Sequence, residues 1–133
     1  MYLLKTYIVE DSPVIRQSLI DALEELVPVE VVGTAEDELT AVQWLMTPGN
    51  PVDLVIVDIF LKGGSGLGVL RAANKLPPRY SMVVLSNYAT QDIRHQCLEL
   101  GADRVFDKSN EIDDLMTYCS RLASGETGHG LLV

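Results

Sequence analysis

The chain has 133 residues, 47% of them hydrophobic, which gives one globular domain able to bury a core without disulfide or metal staples. A formal net charge of −9, with ten scattered Lys and Arg, excludes general affinity for nucleic acid, which needs clustered cations to neutralise phosphate. No apolar run reaches membrane-spanning length. Cys97 and Cys119 fall at helical core spacings, implying a reducing, cytoplasmic setting rather than a disulfide framework.

Leu3 to Val9 reads as a first strand that runs into Glu10 and Asp11 and carries no small-residue cleavage signal. Ser12-Pro13 follows as an N-cap and a first-turn proline. Ile15, Leu19, Leu23 and Leu26 recur at spacings of four and three, so a helix with that inner face runs to the stop at Pro28. Val29 to Gly33 predicts a short strand. Glu36 to Met46 predicts a second helix, opened by acidic residues that suit its dipole and closed by the turn Thr47-Pro48-Gly49-Asn50.

The stretch Pro51 to Gly68 organises the rest. Val52 and the run Leu54 to Val57 lack polar alternation, as in a strand covered on both faces, and end abruptly in Asp58 before a glycine-rich loop. A weak helix from Ser65 or Gly66 to Asn74 packs through Leu67 and Leu70. Met82 to Leu85 is a further buried strand ending in Ser86-Asn87. Thr90 caps a helix facing inward through Ile93, Cys97 and Leu100, with Gly101 as its C′ glycine. Arg104 to Lys108 is a last strand. A final helix, started by Ser109 or Asn110, aligns Ile112, Leu115, Met116, Cys119 and Leu122. The domain therefore spans 1–123, and 124–133 reads as a disordered tail. Strands alternating with helices mean a parallel sheet with right-handed crossovers and helices on both faces.

A parallel sheet brings all its C-terminal strand ends to one edge, where ligands collect. Here that edge receives Glu10, Asp11, Asp58, Ser86 and Lys108. Three clustered carboxylates require a compensating cation, and all-oxygen ligands select a hard one such as Mg²⁺. An anion site is left between such an ion and Lys108. Phosphate fits it, as does a phosphoryl group carried on Asp58, because a carboxylate can attack phosphorus to give an acyl phosphate.

From about Leu3 to Leu122 the chain resembles a bacterial response-regulator receiver domain. The resemblance is carried by Glu10-Asp11 ahead of Ser12-Pro13, by LVIVD ending in Asp58, by the spacing from Asp58 through Leu61 to Gly66, and by the segments VVLSNYA and GADRVFDK. It implies a flavodoxin-like, doubly wound (βα)5 fold with a five-stranded parallel sheet in the order 2-1-3-4-5. Asp58 is then the phosphoacceptor, supplied by a sensor histidine kinase or a histidine phosphotransfer protein. Asp11 and Asp58 hold Mg²⁺ (or Mn²⁺) with the backbone carbonyl of Phe60, and Glu10 acts mainly through a bound water. Lys108 pairs with the phosphoryl oxygens and Ser86 turns inward to donate to them. A shift from Ser86 into the helix at Asp92 re-shapes the face of the fourth helix, fifth strand and fifth helix, where a downstream output protein binds. No catalytic turnover is implied beyond self-phosphorylation and autodephosphorylation, and no direct contact with nucleic acid or membrane. The reading is a stand-alone receiver of a two-component system or phosphorelay. The alternatives are a receiver cut from a longer regulator and an interaction module that switches without phosphate.

The chain departs from the family pattern at three positions. Val105 stands where receivers carry an aromatic, with Phe106 beside it, which leaves Tyr88 as a substitute. Ser109 replaces the proline that commonly follows the lysine, leaving the isomer of that peptide open. Lys62 replaces a common loop proline. Phe60 and Tyr88, each two residues beyond a site residue, flank the path of water to an acyl phosphate and are expected to shield it. Other motifs fail: Val69 breaks GxGxxG from Gly64, no GK[ST] exists, Leu67 breaks GxSxG at Ser65, and His95 and His129 lack neighbours at ligand spacing. Phe60 also occupies the place of the second Asp that a haloacid-dehalogenase-type phosphatase needs, and no Ser/Thr-rich loop cradles a flavin phosphate. Trp44 reads as helix packing.

Overall fold

The computed structural model describes residues 2–77 and 80–125. Five strands form one parallel sheet: β1 (Leu4–Val9), β2 (Val29–Ala35), β3 (Leu54–Val57), β4 (Ser81–Ser86) and β5 (Arg104–Asp107). Their order is β2-β1-β3-β4-β5, as expected. Between and after them run α1 (Pro13–Leu26), α2 (Glu38–Met46), α3 (Gly66–Ala73), α4 (Gln91–Glu99) and α5 (Ile112–Ala123). No helix among the described residues is long and apolar enough to cross a membrane.

Strand side chains alternate between two separate cores, as the two-residue period requires. Tyr7, Val9, Val55, Val57, Val84 and Val105 face Ala41, Leu45, Val69, Leu70 and Cys97 of α2, α3 and α4. Ile8, Leu54, Ile56, Val83, Leu85 and Phe106 face Leu19, Leu23, Leu115, Cys119 and Leu122 of α1 and α5. Both cysteines are buried and free, and burial pushes the thiols up, Cys97 to about 11 and Cys119 to about 12. Trp44 packs as expected: it stacks on Tyr7 with ring centroids 4.0 Å apart. Gly33 makes room for that stack, since a Cβ there would stand 2.9 Å from the Tyr7 ring.

Local signals set most boundaries. Ser12 caps α1 by accepting from Ile15 N–H at 3.3 Å, and Thr90 caps α4 by accepting from Ile93 N–H at 3.2 Å. Gly101 has φ +102 just past α4. Three expectations need correction. Helix α2 starts at Glu38, not Glu36, because Asp37 takes the cap position and accepts from Thr40 N–H at 2.7 Å. Helix α5 starts at Ile112 with no side-chain cap, because Glu111 turns instead to Arg94 and Asp107 N–H. Ile15 and Leu26, assigned to the inner face of α1, are exposed. Ile15 lines an open groove of about 360 Å³ between α1 and α5 rather than the core. The peptide Lys108–Ser109 is trans. Of the expected tail, 124–133, Ser124 and Gly125 continue the end of α5, their N–H groups donating to Ser120 O and Leu122 O at 3.1 Å each, and 126–133, with His129, lie outside the described residues.

Candidate functional site

The register of the sheet places the expected residues together. Val9 lies opposite Val57, and Val57 opposite Val84. Glu10 and Asp58, which follow Val9 and Val57, therefore emerge at the same edge, and Ser86, two residues beyond Val84, ends β4 beside them. Asp58 N–H donates to Val9 O at 2.9 Å and Glu10 N–H to Ala35 O at 2.9 Å, so both carboxylates stand on backbone still pinned by the sheet. Ser86 closes β4, and Lys108 N–H donates to its carbonyl at 3.0 Å.

Glu10, Asp11 and Asp58 each offer a carboxylate oxygen, and these atoms lie within 4.8 Å of one another. The Lys108 Nζ lies between two of them, 2.5 Å from Glu10 Oε1 and 2.9 Å from Asp58 Oδ2. These side chains are 10%, 4% and 11% exposed respectively, so the pairing is screened little by solvent. Burial pulls the Lys108 ammonium down, but the hydrogen bonds it donates to Glu10 and Asp58 outweigh this and hold the group above its ordinary value. The other Glu10 oxygen accepts from Ser12 N–H at 3.1 Å, tying the site to the start of α1.

Ser86 is fully buried, and its Oγ accepts from Tyr88 N–H at 3.1 Å. That bond uses the oxygen as acceptor and leaves the hydroxyl proton available to donate. Phe60 and Tyr88 are 54% and 60% exposed, but they do not point away independently. Their rings meet edge to face with centroids 4.8 Å apart, joining the loop after Asp58 to the loop after Ser86. Val105 is buried toward α4, whereas Phe106 faces the opposite core and meets Tyr118 at 5.9 Å. His95 is exposed.

Several residues around the site carry no local sequence signal. Arg16 donates to Glu10 O at 2.8 Å and pairs with Glu36 at 3.3 Å, and Glu36 also meets Lys62 at 3.4 Å. This chain of charges ties the segments after β1, β2 and β3 together. On the far side, Arg94 bridges the β4–α4 and β5–α5 loops.

Comparison with known proteins agrees with this geometry. A family model described as the response regulator receiver domain matches residues 6–120. The Fimbriae Z protein of Salmonella typhimurium is 27% identical over 118 residues, covering 89% of this chain and 55% of that protein. The chain thus spans about half the length of the curated relatives it matches. The RcsB response regulator of Salmonella typhimurium superposes with a TM-score of 0.81 at 24% identity, over 96% of this chain and 63% of that one. A Burkholderia pseudomallei response regulator superposes with a TM-score of 0.76 at 22% identity, over 91% and 69%. At these two identities the likeness is one of fold. With the family match running over both ends of the sheet and every strand that feeds the acidic edge, the chain belongs to the response regulator receiver domain family.

Proposed function

We propose that the chain accepts a phosphoryl group on Asp58 from a phosphohistidine of a sensor histidine kinase or phosphotransfer protein, and signals through an altered protein-binding face. The observation that carries this reading is the placement of Asp58 at a strand end, 2.9 Å from the Lys108 ammonium and beside two further carboxylates. An Asp58 carboxylate oxygen attacks phosphorus while the P–N bond breaks, and its electron pair leaves with the imidazole nitrogen of the donor. The reaction needs positioning and charge neutralisation above all, since the transferred group is loosely bonded in the transition state. Lys108 supplies an ammonium beside the phosphoryl oxygens, and Ser86 supplies its free hydroxyl proton. The Burkholderia pseudomallei protein was crystallised with a phosphorylated aspartic acid and a calcium ion, an instance of this chemistry on the same fold.

The donor set fits a hard divalent cation. Ionised, three carboxylates beside one ammonium leave two negative charges uncompensated, the charge of one Mg²⁺ or Mn²⁺. Asp11, Asp58 and the Phe60 carbonyl would hold the ion, with Glu10 acting through water. Once bound, it would neutralise charge on the phosphoryl oxygens.

The output face is assigned to α4, β5 and α5, reached from Ser86 through the loop that carries Tyr88 and Ala89. Incubating the chain with candidate kinases or acetyl phosphate, with Mg²⁺, tests the reading. The expected result is an acid-stable, base-labile acyl phosphate on the parent that Asp58→Ala abolishes. Equal labelling of Asp58→Ala, or no labelling of the parent by any donor, overturns it.

A further inference from the structure

The segment Gly63-Gly64-Ser65-Gly66-Leu67-Gly68 matches no nucleotide-binding motif, and its glycines are accounted for by a residue far away in sequence. Glu38, half-buried at the first position of α2, donates its N–H to Gly63 O at 2.9 Å and accepts from Ser65 N–H through Oε1 at 2.9 Å. A Cβ on Gly64, where φ is +77, would stand 2.5 Å from Glu38 Cβ. One on Gly68 would stand 2.3 Å from the Glu38 carboxylate. On the inner side, a Cβ on Gly66 would stand 2.0 Å from the Asp58 carbonyl oxygen. The loop is therefore moulded around Glu38 on one flank and around the Asp58 backbone on the other. Ser65 is the link, because it also pairs with Phe60 in an antiparallel bridge, and Gly66 N–H donates to Ile59 O at 2.8 Å. The Glu38 carboxylate also lies at the N-terminal end of α3, where negative charge is favoured.

We propose that Glu38 is a positioning residue for the acidic site: through Ser65 it fixes the backbone of Phe60, and with it the carbonyl that completes the oxygen set. This rests on the cation assignment made above. Residues that hold metal ligands in place without touching the metal typically control affinity by 10- to 100-fold. Glu38 would do so from α2, an element that contributes no ligand of its own.

Two near-isosteric variants separate the hydrogen bond from the charge and spare the fold. Glu38→Gln keeps the reach and an acceptor oxygen, whereas Glu38→Asp keeps the charge but is one methylene too short to meet Ser65 N–H. Mn²⁺ dissociation constants are measured by the paramagnetic resonance of free Mn²⁺, with the thermal midpoint of each variant recorded alongside. The expected result is about tenfold weaker binding by Glu38→Asp and binding within about twofold of the parent by Glu38→Gln. Parent-like affinity in Glu38→Asp, or equal weakening in both, overturns the role given to Glu38. A parent chain that binds no Mn²⁺, or binds it equally well after Asp58→Ala, overturns the cation assignment itself.

Discussion

Arg94 Nη2 meets Glu111 Oε1 at 2.6 Å, and the pair fastens three segments that sequence separates. The same guanidinium donates to Ala89 O and to Val105 O, each at 3.0 Å, and Glu111 Oε1 also accepts from Asp107 N–H at 2.8 Å. A planar fork of donors suits this task, which a lysine could not perform. The clamp thus joins the loop beyond Ser86 to the loop that carries Lys108, and it does so at Val105, where receivers commonly carry an aromatic ring.

Arg94→Met keeps the aliphatic stem and removes all three hydrogen bonds. Both charged side chains are about a third exposed, so solvent screens the ion pair and most of the loss comes from the two abandoned carbonyls. The expected cost is about 1–2 kcal/mol, read as a lower urea midpoint with an unchanged slope. A midpoint equal to the parent's would show that the clamp contributes no stability.

The same pair sets an acid limit. The hydrogen bond from Arg94, followed by that from Asp107 N–H, holds the Glu111 carboxyl below its ordinary value of 4.5. A carboxyl depressed in the folded state contributes stability that is present above its unfolded value and lost as pH falls through the folded one. The parent should therefore lose stability below about pH 4.5 more steeply than Glu111→Gln does. Parallel stability curves for the two chains between pH 5 and pH 3 would contradict this.

Phe60 and Tyr88 bear on the lifetime of the acyl phosphate proposed for Asp58. An edge-to-face ring pair contributes about 0.5–1.5 kcal/mol, so holding the two loops closed over Asp58 would slow water attack by about 2- to 10-fold. Phe60→Asn and Tyr88→Ala should each release phosphate faster than the parent by that margin, and the double variant little more than either. If neither single variant is faster, the rings do not shield the site.

Lys108 is the only basic side chain paired with Glu10 among the described residues. Lys108→Met leaves that nearly fully buried carboxylate beside Asp58 with no counter-charge, which costs about 3 kcal/mol. Because Lys108 no longer competes for Glu10 and Asp58, saturating Mg²⁺ should raise the thermal midpoint of the variant by more degrees than it raises the parent's. An equal or smaller rise in the variant would mean that Lys108 and the cation do not share these oxygens.

The strand ends were legible because each buried run stops at a polar residue, and a parallel sheet gathers those stops on one edge. Ser12, Thr90 and Gly101 were legible because caps are local. Glu38, Arg94 and Glu111 were not: each acts on a segment 17 or more residues away, and nothing in their immediate neighbours distinguishes them from solvated charges. Ile15 and Leu26 misled for a different reason. Helical spacing gives the direction of a stripe but not where the neighbouring helix ends, and here α1 and α5 leave a groove along part of it.

The contact between Lys108 and Glu10 joins positions 98 apart in the chain. During synthesis the three acidic residues leave the ribosome long before the ammonium that balances them. A product that stops short of the segment after the fifth strand therefore lacks the cation that stands between Glu10 and Asp58, and the proposed phosphoryl site is complete only in a molecule translated through Lys108.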